Sequence, residues 1–149
     1  MTVDQKEIYT GYRSVIVTMT EARGLELCWI CDSAINGEIF IDFLKSLRKR
    51  FGATPLALFM DQLRVHKASL VRPAYDQLDI RPVWNVGYSP EFNPVEAVFS
   101  KVKYQFCRSR LNNLVNKVGF NADKEIKAAL GKIDQEHCAA CARKSLNLL

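Results

Sequence analysis

Apolar and polar positions change period several times along this chain, and each change marks an element. Residues 14–19 and 25–30 are apolar, β-branched or aromatic runs separated by Glu21-Ala22-Arg23-Gly24, which predicts an antiparallel hairpin. Asn36 then offers a helix N-cap, and Phe40, Phe43, Leu44 and Leu47 follow at the i, i+3, i+4, i+7 spacing of one helical face that stops near Gly52. Residues 56–60 are continuously apolar but too few for a helix, so they are expected as a strand buried in the middle of a sheet. A short helix over 73–78, with Pro73 in its first turn, and a strand over 80–86 come next.

Past a turn at 87–90, Asn93 is placed to cap a helix that has Pro94 at its first position. Val95, Val98, Phe99, Val102 and Phe106 form that helix's buried stripe. Residues 123–146 are also helical by pattern, through Ile126, Ala129, Leu130 and Ile133. The alternation of strands and helices predicts an α/β layer architecture with parallel pairing late in the chain. No repeat, low-complexity stretch or linker interrupts it, so residues 1–149 read as one domain.

Composition adds limits. No apolar stretch approaches the roughly 20 residues of a membrane span, and the polar, acid-bearing start resembles neither a secretory signal nor a transit peptide, so a soluble, intracellular protein is expected. The 21 basic and 16 acidic residues give a net charge of +5, which favours a phosphate backbone without requiring one. Lys45, Arg48, Lys49 and Arg50 crowd the end of the first helix, where cations complement the dipole in solvent. Lys101, Lys103, Arg108 and Arg110 follow Glu96 along a later helix and are the better candidates for touching nucleic acid. Two CxxC pairs, Cys28 with Cys31 and Cys138 with Cys141, have the spacing of a zinc site. One lies on a strand and the other on a helix rather than on knuckle turns, which argues for reduced structural thiols and against zinc.

The candidate chemistry rests on Asp61, which closes the run 55–60, and on Glu96, 35 positions later. A carboxylate at a strand end and another in the first turn of a helix can converge on a divalent cation, as phosphoryl transfer requires. Each has a plainer role open to it. Glu96 is at the third helical position, where it can close a capping box on Asn93, and Asp61 can simply start a turn.

Phe59-Met60-Asp61-Gln62-Leu63-Arg64-Val65-His66-Lys67, followed by Tyr88-Ser89-Pro90-Glu91-Phe92-Asn93-Pro94-Val95-Glu96, resembles the DDE transposases of the mariner and insertion-sequence type. The likeness extends from about residue 13 to 138. It implies a ribonuclease-H-like mixed sheet flanked by helices, in which three acids hold two Mg²⁺ or Mn²⁺ ions and transfer DNA phosphodiesters. Asp61 would be the second acid and Glu96 the third. Tyr88, Pro90, Asn93 and Pro94 would shape the turn that aims Glu96. His66 and Lys67 would support the site or contact DNA, with a solvated loop role open for His66. Gln62 stands where the family has asparagine.

The family's first aspartate lies on a central strand before the hairpin. Asp4 is the early candidate here, although its neighbours make a poor central strand. A truncated domain is therefore expected, with that strand missing or replaced and an open sheet edge available to another chain by β-augmentation. Two functions follow. One is a metal-dependent transposase fragment acting on DNA in a nucleus or prokaryotic cytoplasm. The other is an inactive, cofactor-free, transposase-derived subunit held among other protein chains.

Overall fold

The computed structural model describes residues 13–147, and these fall into two compact units. The first unit comprises the described part of Met1–Ser33 together with Val95–Cys141; the second comprises Ala34–Pro94 and the described part of Ala142–Leu149.

In the first unit, β1 (Ser14–Thr20) and β2 (Gly24–Cys31) form the expected antiparallel hairpin, pairing Ser14 with Cys31 through to Thr20 with Gly24, with an irregularity between Thr18 and Met19. Gly24 has φ +83°, and a Cβ there would come within 3.0 Å of the Gln135 Cα, so both its backbone angle and its close packing call for glycine. Alternation along the strands aims Val15, Val17 and Met19 at the core. Across from them lie α3 (Pro94–Val115) and α4 (Ala122–Gly131), followed by α5 (Gln135–Leu146). Val17, Val98, Val102, Ile126, Leu130, Ile133 and Cys138 are the buried centre, and Val95, Phe99 and Phe106 pack against it. The stripe expected on α3 is therefore the one that is buried. Glu26 is buried in this unit, yet it accepts hydrogen bonds from Thr20 Oγ1 at 2.7 Å and Arg23 Nε at 2.9 Å.

The segment expected as one helix over 123–146 is two. The chain leaves the helix after Gly131 and restarts where Asp134 Oδ1 accepts from the His137 backbone N–H at 2.7 Å. Ile133 stays buried across the break, which is why the apolar pattern ran on without interruption.

In the second unit, Asn36 Oδ1 accepts from the Ile39 N–H at 2.9 Å to open α1 (Gly37–Phe51), and Gly52, at φ +58°, closes it. Phe40, Phe43, Leu44 and Leu47 are all buried, each contributing roughly 2 kcal/mol by removal from water. β3 (Leu56–Met60) and β4 (Ile80–Trp84) pair in parallel around α2 (Arg72–Gln77), with Leu56 opposite Ile80 and Met60 opposite Trp84. The expected mid-sheet burial of β3 does not hold. Among the described residues β3 pairs with β4 alone, its burial alternates, and Phe59 is 37% exposed. An apolar run reports affinity for a buried face and cannot say whether both of its faces are covered. β4 also ends two residues earlier than expected, at Trp84.

The basic end of α1 is more than a solvated terminus. Arg48 Nε donates to the Leu78 carbonyl at 2.7 Å, its Nη1 donates to the carbonyls of Gly52 at 2.9 Å and Thr54 at 2.8 Å, and its Nη2 donates to that of Asp79. One guanidinium thus ties the loop after α1 to the loop before β4, a task suited to its planar fork of donors. Among the described residues no helix is long and apolar enough to cross a membrane. Asp4 lies outside the described residues.

Candidate active site

Asp61 sits in the second unit immediately after β3, and the structure surrounds it with a hydrogen-bond network. At its centre is Asn85, only 2% exposed. Asn85 Nδ2 donates to Asp61 Oδ1 at 2.8 Å and to the Ser89 carbonyl at 2.7 Å, while its Oδ1 accepts from the Val86 N–H at 2.8 Å. Its own backbone N–H donates to the Met60 carbonyl at 2.9 Å, extending the β3–β4 pairing by one step. Both amide hydrogens are used, so the Asp61 carboxylate and the turn that starts at Val86 are locked to one side chain. The half-buried Asp61 presents its second oxygen with no hydrogen bond among the described residues.

His66 and Lys67 belong to the same network. The His66 Nδ1 lies 2.8 Å from the Asp61 carbonyl, which can only accept, so that nitrogen carries the hydrogen. Its ring packs on Phe40 at 4.7 Å between centroids, and its own carbonyl accepts from the Tyr75 hydroxyl at 2.9 Å. Burial pushes the imidazole below its ordinary value of 6.5, against smaller opposing contributions from the Asp61 carbonyl and carboxylate. His66 is therefore a half-buried loop residue packed against Phe40 and fixed to the Asp61 carbonyl. Lys67 Nζ donates to Gln62 Oε1 and lies 5.2 Å from the Trp84 ring centroid, a cation–π distance. Gln62 Nε2 in turn donates to the Asn85 carbonyl at 2.8 Å, so the amide retained at this position holds the floor of the network.

The turn residues take up distinct places. Tyr88 has φ +59° and is fully exposed, while Pro90 opens a 3₁₀ turn (Pro90–Phe92) that ends where the Asn93 N–H donates to the Pro90 carbonyl at 2.9 Å. Asn93 is buried and extended, and Pro94 starts α3 directly after it. Ser145 Oγ donates to the Glu91 carbonyl at 3.2 Å and pins this turn to the end of α5.

Glu96 belongs to the first unit, on the first turn of α3. There it lines a half-open groove of about 480 Å³ together with Arg13, Phe99, Lys103, Phe106 and Ile126. Helical residues advance by about 100° each, so positions seven apart share a side. Glu96, Lys103 and Arg110 are spaced in this way, whereas Lys101 and Arg108 project from another side of α3. Among the described residues, Arg110 Nη2 is the buried side-chain nitrogen for which no hydrogen-bond partner is found. The basic cluster thus divides into two sets by helix geometry.

For a hard divalent cation the chemistry of these donors is suitable, because such ions take one or two carboxylates and complete their shells with water. Asp61 supplies a carboxylate with one oxygen oriented and one open. No group of three His, Cys, Asp or Glu side chains able to hold a metal occurs among the described residues. Asn85 is the residue that sequence reasoning missed. Its one signal is a polar amide directly after the strand 80–84.

A family model described as DDE superfamily endonuclease matches residues 4–116. A search of curated proteins finds no match to the chain. Among solved structures, the Mos1 transposase catalytic domain with raltegravir and manganese superposes with a TM-score of 0.68 at 14% identity, covering 93% of this chain and 72% of that one. The Mos1 mariner transposase catalytic domain gives 0.66 at 14% identity, covering 89% and 68%. The Mos1 mariner paired-end complex with manganese gives 0.66 at 15% identity, covering 90% of this chain and 40% of that one. The fold is accordingly the ribonuclease-H-like α/β arrangement of transposase catalytic domains. With the model spanning well over half of the sequence, and with a carboxylate held at a strand end ahead of the Tyr88-Ser89-Pro90 turn, the chain belongs to the DDE superfamily endonucleases.

Proposed function

We propose that this chain carries part of a transposase catalytic domain that cleaves DNA phosphodiesters and joins DNA strands, with Asp61 and Glu96 as metal-holding acids. The observation that carries the reading is the Asp61 carboxylate, oriented through one oxygen by a buried asparagine while the other oxygen stays open. Family membership supports the same reaction class. When bound, Mg²⁺ or Mn²⁺ would sharpen the attacking oxygen and neutralise charge on the leaving one.

The chain's own residues have separable tasks. Asp61 and Glu96 supply ligand oxygens. Asn85 orients Asp61, and His66, fixed by its Nδ1 hydrogen bond, braces the loop beneath it. Lys103 and Arg110, on the Glu96 side of α3, contact the DNA backbone. Tyr88, Pro90, Asn93 and Pro94 form the turn leading into the Glu96 helix.

The test combines Mn²⁺ binding by calorimetry with nicking of a supercoiled plasmid by the purified chain. Nicking that requires Mg²⁺ or Mn²⁺ and is lost in Asp61→Asn and Glu96→Gln, with folding retained, is the expected result. Nicking that survives both substitutions overturns the assignment of the acids. Absence of both nicking and metal binding favours the other reading, a transposase-derived subunit that acts through protein contacts.

A further inference from the structure

Helix α3 is apolar on two opposite sides, and only one of them is buried. With residues advancing about 100° each along a helix, Val95, Val98, Val102 and Phe106 fall within one stripe, the stripe packed into the core. Tyr104, Leu111 and Val115 fall within about 40° of one another on the opposite side, and they are 63%, 63% and 66% exposed. Val118, seven positions past Leu111, continues the exposed apolar series beyond the helix end. Solvent-facing leucine, valine and tyrosine in register along one helix face are what a protein contact leaves when its partner is removed.

Charge decides the kind of partner. From Ala97 to Ala122 there is no aspartate or glutamate, while Lys101, Lys103, Arg108, Arg110 and Lys117 all lie in this stretch. These five account for the whole net charge of +5, leaving sixteen bases to match sixteen acids elsewhere. Ala97, Lys101, Tyr104, Arg108, Leu111 and Val115 alternate at spacings of four and three, which is the seam of a helix pair. The seam is about 28 Å long at the helical rise. A second copy in parallel register would set Arg108 against Arg108 with no nearby acid to offset the repulsion. DNA would satisfy Arg108 but leave Leu111 and Val115 in water.

We propose that this outer face of α3 docks an acidic amphipathic helix of a protein partner, whose apolar residues cover Tyr104, Leu111 and Val115 and whose carboxylates meet Arg108 and Lys101. This surface lies on a different side of α3 from Lys103 and Arg110, and it operates whether or not the chain cleaves DNA.

The probe is a synthetic helical peptide of about 20 residues with leucine at heptad spacing and glutamate flanking it; a control has lysine in place of each glutamate. Fluorescence anisotropy should show the glutamate peptide binding at least about tenfold more tightly than the control, a difference of ~1.4 kcal/mol. Leu111→Glu should weaken it by a similar factor, and Arg108→Glu should reverse the preference between the peptides. Circular dichroism checks that these exposed substitutions leave the fold intact. Equal binding of both peptides, indifference to Leu111→Glu, or displacement of the peptide by duplex DNA each overturns the proposal. So does dimerisation of the free protein that Leu111→Glu abolishes, because the occupant would then be a second copy.

Discussion

Removing the Asn85 side chain should loosen Asp61 and the following turn together. Asn85→Ala deletes a hydrogen bond to a carboxylate, worth roughly 2 kcal/mol, and two neutral ones worth about half to one each; those three are the contacts to Asp61 Oδ1, the Ser89 carbonyl and the Val86 N–H. The exposed Val86 can recover a water, so the net loss should be about 3 kcal/mol. For a chain of this length that lowers Tm by about 10 °C. Asn85→Asp keeps the shape but replaces both N–H donors with a second anionic oxygen facing Asp61. It should be worse than alanine by at least about 1 kcal/mol at neutral pH. The gap should close in acid, where a protonated carboxyl can donate to Asp61 once more. Equilibrium urea unfolding at two pH values measures all three proteins. If alanine costs less than about 1 kcal/mol, or if Asn85→Asp equals Asn85→Ala at neutral pH, then Nδ2 does not hold the Asp61 carboxylate as described.

Other consequences can be measured in the same way. Arg48→Lys should destabilise by about 2 to 3 kcal/mol, because one ammonium cannot reach four carbonyls on two loops, and chemical denaturation will show whether the charge alone suffices. Tyr88→Gly should raise stability by about 1 kcal/mol by relieving a left-handed backbone angle at an exposed position, read as an upward shift in Tm. His66 binds its proton less readily when folded than when unfolded, so the unfolded chain gains protons first as pH falls below 6.5. Stability should therefore decline from that pH down through the lowered folded value, and His66→Gln should flatten this part of the profile in pH-dependent unfolding. Tyr75, pushed up to about 12 by burial, acts at the other end: stability should fall above pH 10, a loss that Tyr75→Phe removes.

Much of the fold was legible in residue order because its signals are local. The α1 stripe, its Asn36 and Gly52 ends, the 14–31 hairpin and the Pro94 helix start each depend on neighbours within a few positions. Asp61 and Glu96 could be singled out because their surroundings form a contiguous pattern. The break between α4 and α5 was hidden because Ile133 preserves the apolar period while Asp134 restarts the helix. The role of Arg48 was hidden too. Its acceptors Leu78 and Asp79 lie about thirty positions away, and a basic residue at a helix end has an adequate local explanation without them.

By itself, then, the sequence determined the element types, the family and the identity of the candidate acids, because backbone propensity, hydrophobic period and motif spacing act over short stretches of chain. Tertiary structure alone decided that Asn85 holds Asp61, that His66 is fixed to the Asp61 carbonyl, that β3 shows alternating burial, and that α3 buries one apolar face and leaves the other in water. Hydrogen-bond partners and exposure are properties of what the folded chain brings alongside a residue. Two apolar faces on one helix look alike in sequence, and only packing tells which of them remains available to a partner.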